Sequence, residues 1–142
     1  MVKLNRIYTR TGDAGSTGLG DGRRVAKDDP RVEAYGDVDE ANAALGVAVS
    51  LCTPRRGPLK KLAVLLERIQ NELFDVGADL CCPITPGERP GERLRITAEQ
   101  AASLEPAIDH YNEPLAPLNS FVLPGGTPLA CALHVARTVT RR

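Results

Sequence analysis

The chain has 142 residues, 42% of them hydrophobic, with 18 Lys+Arg balanced by 18 Asp+Glu. That length suits one domain burying roughly 68–70% of the surface its unfolded chain exposes, so a single core needs no staples. With zero formal net charge there is no global field to recruit nucleic acid or an anionic membrane; neither partner is expected, and any anion binding must be local.

Four cysteines, Cys52, Cys81, Cys82 and Cys131, match no zinc-ligand spacing. With no charged-then-apolar signal segment and no apolar run long enough to span a bilayer, a cytoplasmic location is expected, with the cysteines as buried structural thiols.

Residues 1–29 are rich in Gly, Thr and charge and have no sustained period, which predicts an ordered N-terminal loop. Asp29 and Pro30 read as an N-cap and first-turn proline. Ala34, Val38, Ala41, Leu45 and Ala48 then form one stripe of a first helix over about 31–51. After the breakers Pro54, Gly57 and Pro58, the stripe Leu62, Leu65, Leu66, Ile69, Leu73, Val76 and Leu80 predicts a second, long helix. Pro83 to Arg95 is a loop by composition. Thr97 and Gln100 have capping-box spacing and open a third helix with stripe Ala101, Leu104, Ile108 and Tyr111. Phe121-Val-Leu-Pro-Gly-Gly126 implies a tight turn, after which Thr127 and Pro128 start a fourth helix with Leu129, Ala132, Leu133 and Ala136 on one face. Four helices without an alternating period predict an all-α bundle over residues 30–142, a single domain with the loop 1–29.

The N-terminal loop concentrates Thr9, Arg10, Thr11, Gly12, Asp13, Gly15, Ser16, Thr17 and Gly18. Glycines permit positive φ and close approach of the backbone, so successive N–H groups can converge on a polyphosphate. No Walker A pattern is present, and Gly18-Leu-Gly-Asp-Gly22 is not a dinucleotide fingerprint; a plain glycine-rich connector is the alternative. Lys27 can add a positive charge beside the first helix. Tyr35, Asp39, Asn42 and Gly46 share one polar edge of that helix, and Ala130, His134, Arg137 and Arg141 share one face of the fourth. The two arginines, one turn apart, can clamp phosphates or Asp39. His134 reads as structural, and His110 is assigned no role.

Thr9-Arg-Thr-Gly-Asp-Ala-Gly-Ser-Thr-Gly18, Lys27-Asp-Asp-Pro-Arg-Val-Glu-Ala-Tyr-Gly36, Val38-Asp-Glu40, Phe121-Val-Leu-Pro-Gly-Gly126 and Ala132-Leu-His-Val-Ala-Arg-Thr-Val-Thr-Arg-Arg142, in this order, resemble the PduO-type ATP:cob(I)alamin adenosyltransferases. The resemblance implies a ferritin-like bundle of five helices, assembled as a homotrimer, with ATP and the corrinoid meeting at the subunit interface. It implies transfer of the 5′-deoxyadenosyl group of ATP to the Co(I) of a corrinoid, with triphosphate as leaving group. Thr9, Arg10, Thr11, Gly12, Thr17, Gly18, Lys27, Arg141 and Arg142 are then expected at ATP, with Mg2+ bound through the phosphates and K+ as a further cation. Arg141 is the implied catalytic arginine, Arg137 the partner of Asp39, and Phe121 the aromatic under the corrin. A reductase or an adenosylcobalamin-dependent acceptor enzyme is an implied partner. The family's Ala-Glu-Arg and last helix are missing after Arg142, so this polypeptide as written is expected to be poorly soluble or inactive. The alternative function is a non-catalytic binding homologue.

Overall fold

A computed structural model describes residues 7–142; the first six residues of the expected loop lie outside the described residues. Two short strands, β1 (Ser16–Gly18) and β2 (Arg24–Ala26), pair antiparallel with Thr17 opposite Val25. They are followed by α1 (Pro30–Ser50), α2 (Gly57–Cys81), α3 (Ala98–Ala102), α4 (Glu105–Asn112) and α5 (Pro128–Thr140). The described residues are mostly helical, and the all-α expectation is corrected by the hairpin. Three-residue strands are too short to write an alternating period into the sequence. The turn between them needs positive φ, which Gly22 supplies at 87° without a steric cost.

Helix starts follow the local chemistry. Asp29 Oδ1 accepts the Arg31 N–H at 2.8 Å, with Pro30 in the first turn, and Thr127 Oγ1 accepts from the Ala130 N–H at 3.2 Å, with Pro128 behind it. Both side chains satisfy amides that have no partner inside the helix. At Thr97, whose N–H donates to Gln100 Oε1 at 2.9 Å, the expected third helix begins as α3 and is interrupted at Ser103-Leu104 before α4. Pro106 lacks the N–H that would reach the Ala102 carbonyl, so the ladder tightens there. The Leu104 N–H bonds Ala101 O at 3.1 Å instead.

The core lies where α1 packs on both α2 and α5. Ala48, Val49, Cys52, Ala63, Leu66 and Ala132 form its buried cluster, flanked by Leu45, Leu51, Leu62, Leu129 and Leu133. Small residues at the centre let the helices approach closely, since ridge-into-groove packing scales with side-chain size. Across the α1–α2 seam, Asn42 Nδ2 donates to Gln70 O and Gln70 Nε2 donates to Asn42 O, each at 3.1 Å. Of the cysteines, all free, only Cys52 is buried; Cys81 and Cys82 are half-buried and Cys131 is exposed. The expectation of four buried thiols is therefore corrected. Cys131 sits on the solvent side of α5, one position before the buried Ala132. Among the described residues no helix is long and apolar enough to cross a membrane.

Candidate functional site

The turn before and into β1 is held by hydrogen bonds to five of its carbonyls, those of Arg10, Thr11, Gly12, Gly15 and Ser16. Asp13 N–H reaches Arg10 O at 3.5 Å, Gly15 N–H reaches Gly12 O at 3.1 Å, and Lys27 N–H reaches Gly15 O at 2.9 Å. Arg24, on β2, places Nη2 2.6 Å from Thr11 O and 2.9 Å from Ser16 O, and also holds Ser16 Oγ at 2.7 Å. Among the described residues the N–H groups of Thr11, Gly12 and Ala14 meet no backbone carbonyl or side-chain acceptor. Carbonyls held and amides open is the polarity of an anion-binding nest. Arg10 adopts the left-handed region at φ 60° and Gly15 at 81°, the backbone alternation from which such concavities are made.

Around this turn stand the other expected phosphate ligands. Thr9 and Thr11 hydroxyls lie 2.9 Å apart, and the Arg10 guanidinium rests over the Tyr8 ring at 5.4 Å. The Lys27 side chain lies over Gly12: a Cβ there would come within 3.1 Å of Lys27 Cε and 3.3 Å of Nζ. Gly12 is thus the residue that lets the ammonium sit on the nest, and the structure brings Lys27 to the loop as expected. Thr17 and Gly18 are on β1, with Gly18 exposed.

The loop is latched to the bundle at the C-terminal end of α2, a contact with no signal in the sequence. The last carbonyls of a helix lack intrahelical donors, and here three at the end of α2 find distant ones. Arg31 Nη1 donates to Leu80 O at 2.6 Å, Gly20 N–H to Cys81 O at 2.9 Å, and Arg95 Nη1 to Cys82 O at 2.6 Å. Arg95 also bridges Asp79 and Glu88, each at 2.6 Å. The Ile96 N–H, then Arg95, hold the Asp79 carboxyl below the usual range, and Arg95 does the same to Glu88.

Between α1 and α2 a cleft of about 370 Å³ is lined by Tyr35, Asp39 and Asn42 on one side and Leu73, Phe74 and Gly77 on the other. The polar edge read from α1 therefore faces an apolar slot. Burial raises the Tyr35 hydroxyl's pKa, and Asn42 Oδ1 is buried without a hydrogen-bond partner among the described residues.

The far side of the expected site differs in detail. Arg137 and Arg141 are exposed on and beside the last turn of α5, and among the described residues no ion pair joins Arg137 to Asp39. Arg142 instead pairs with Asp37 at 2.9 Å and with Glu40, whose carboxylates raise its pKa. The reason is helical phase: Asp39 lines the α2 side of α1, whereas Asp37 and Glu40, three residues apart, reach the end of α5. His134 is half-buried on α5, and His110 stacks edge-on against Tyr111 at 5.3 Å. Phe121 is fully exposed between α4 and α5, with Leu118 and Leu123 also exposed nearby. Arg24, Arg31 and Arg95 are the residues that sequence reasoning missed. Each acts on backbone carbonyls brought near only by folding.

Comparison with known proteins agrees with this layout. The cobalamin adenosyltransferase family model matches residues 7–142. A corrinoid adenosyltransferase of Mycobacterium leprae is 54% identical over 143 residues, covering 99% of this chain and 73% of that protein. One from Bacillus subtilis is 44% identical over 137 residues, covering 96% and 67%. A variant PduO-type ATP:corrinoid adenosyltransferase from Lactobacillus reuteri, solved with cobalamin and ATP, superposes with a TM-score of 0.82 at 42% identity, covering 96% of this chain and 72% of that one. Loop, bundle and comparisons agree: the chain belongs to the cobalamin adenosyltransferase family.

Proposed function

We propose that this chain transfers the 5′-deoxyadenosyl group of ATP to the Co(I) of a corrinoid and releases triphosphate. The observation that carries the reading is the turn at 10–16, whose Thr11, Gly12 and Ala14 amides have no partner among the described residues, with Lys27 laid over Gly12. Family membership and relatives described as complexed with cobalamin and ATP support it.

In the reaction, the cobalt electron pair forms the Co–C5′ bond as C5′–O5′ breaks; cobalt passes from Co(I) to Co(III), and the oxygen keeps the bonding pair in the departing triphosphate. The substrate is itself the nucleophile, so the protein's task is to align the carbon and stabilise charge growing on the leaving group. The amides of Thr11 and Gly12, the hydroxyls of Thr9 and Thr17, the backbone at Gly18, and the cations Arg10 and Lys27 do this from the loop. Arg141 is the catalytic cation from α5, with Arg142 beside it; Arg137 and Asp39, which no ion pair joins within this chain, are read as supporting residues of the assembled site. Mg2+ bound with ATP would neutralise phosphate charge, and the loop's threonine hydroxyls and Asp13 offer the hard oxygen donors it prefers; K+ is a further cation without an assigned residue.

The α1–α2 cleft suits one edge of a corrinoid: its α2 wall is apolar, and the orphan Asn42 Oδ1 can accept from an amide of the macrocycle's periphery. Phe121 is read as the aromatic packing beneath the metal, where an apolar face without a ligand favours the reduced ion. Exposed apolar side chains on the bundle, Val47, Val64, Phe74 and Val135, support assembly, which we read as a homotrimer with the site at the subunit interface. A reductase that delivers Co(I), an acceptor enzyme for the product, and a cytoplasmic setting complete the proposal.

The test is Arg141→Ala, assayed for turnover and for corrinoid binding. Turnover is expected to fall about 10²-fold or more, as for loss of one charge-stabilising donor, with corrinoid affinity within a few-fold. Unchanged turnover refutes the role of Arg141. ATP binding without triphosphate release by the unaltered chain favours a binding-only homologue.

A further inference from the structure

Building on the ATP reading above, we propose that Arg24 is a positioning residue: by holding the Thr11 and Ser16 carbonyls it keeps the amides of Thr11, Gly12 and Ala14 turned toward the triphosphate.

A phosphate nest works only if its peptide units point one way, because a single rotated unit puts a carbonyl dipole against the anion. The Arg10, Gly12 and Gly15 carbonyls are held by main-chain donors, whereas those of Thr11 and Ser16 are held by the Arg24 side chain. One nitrogen, Nη2, reaches both carbonyls and Ser16 Oγ, while Nε lies 3.2 Å from the same hydroxyl. The planar guanidinium fixes these directions together, which a lysine ammonium on a flexible stem does not. Arg24 opens β2 and Lys27 directly follows its last residue, so the clamp also sets where Lys27 meets Gly12. These bonds are exposed, and exposed polar contacts add little to global stability. Their consequence is local: the shape of the turn.

The experiment measures ATP binding by calorimetry and, with chemically reduced corrinoid, KM for ATP and kcat, for the wild type, Arg24→Ala, Arg24→Lys and Ser16→Ala. Arg24→Ala is expected to raise Kd and KM for ATP tenfold or more, with kcat and the corrinoid KM within threefold and the melting temperature nearly unchanged. Arg24→Lys should recover less than half of the loss on a logarithmic scale. Ser16→Ala, which removes two of the clamp's contacts without changing charge, should weaken ATP binding several-fold, and the double variant should be less than additive. An Arg24→Lys chain that binds as wild type, or a Ser16→Ala chain unaffected where Arg24→Ala is weak, means that Arg24 acts by charge and overturns the clamp. Arg24→Ala within twofold of wild type overturns it too. A wild-type chain that binds no ATP refutes the function itself, and the clamp with it. If Arg24→Ala fails to fold, Ser16→Ala alone decides.

Discussion

The Gly20 N–H bonds the N-terminal loop to the end of α2, and substitution of Gly20 isolates docking from chemistry. Its backbone is not in the positive-φ region, so alanine there meets no conformational penalty, only neighbours. A Cβ would lie 2.4 Å from Cys82 Sγ and 3.3 Å from Cys81 O, closer than packed atoms allow. Forcing such an overlap costs about 1–3 kcal/mol, and the loop can relieve it by leaving α2, breaking the Gly20 N–H to Cys81 O bond. If only the docked loop binds ATP, apparent Kd rises by the inverse of the docked fraction. The ceiling on the loss for Gly20→Ala is then roughly fivefold to 150-fold. Calorimetric titration of ATP is the assay, with Cys82→Ala as the relieving change: the double variant Gly20→Ala/Cys82→Ala loses the 2.4 Å contact and should recover most of the affinity. ATP affinity unchanged in Gly20→Ala, or a double variant as weak as the single, refutes the latch.

Removing the cap of α1 with Asp29→Ala should lower stability by about 1 kcal/mol, read as a downward shift of the denaturant midpoint at unchanged slope; an unchanged midpoint would show that Pro30 alone starts the helix. The Asp79 and Glu88 carboxyls are held below their ordinary values, so their contribution is complete above about pH 4.5 and fades as pH falls through the lowered values. Asp79→Asn should therefore melt lower than wild type near pH 7, with the gap narrowing below about pH 4; parallel melting curves across that range would contradict the assignment of the clamp on the α2 end.

The helices were legible wherever the determinant was local. Asp29-Pro30 and Thr127-Pro128 mark starts because a cap and a proline act within one turn, and the stripe from Leu62 to Leu80 is written in period. The β1–β2 hairpin was not, since three residues per strand hold too little alternation. Pro106 does appear in the sequence, but the stripe across it continues through Leu104 and Ile108 and masks the break between α3 and α4. At the site, the glycine–threonine loop, Lys27 and the polar edge of α1 were readable as residue types that suit a polyphosphate and a cleft. What organises them was not. Arg31 finds Leu80 O across 49 positions, and Arg24 finds Thr11 O across 13; neither target has a side chain to advertise it. Asp39 and Arg137 were read as a pair from two helix faces; within this chain no ion pair joins them, Asp39 lines the α2 cleft, and Asp37 and Glu40 pair with Arg142.

The most direct test of the account is to mix the protein with ATP, Mg2+ and chemically reduced cob(I)alamin under anaerobic conditions, following the loss of Co(I) absorbance and the release of triphosphate together. The account predicts one triphosphate per adenosylated corrinoid, with both signals lost when ATP is omitted. Co(I) consumption without triphosphate, or release of pyrophosphate or orthophosphate as the primary product, would contradict it.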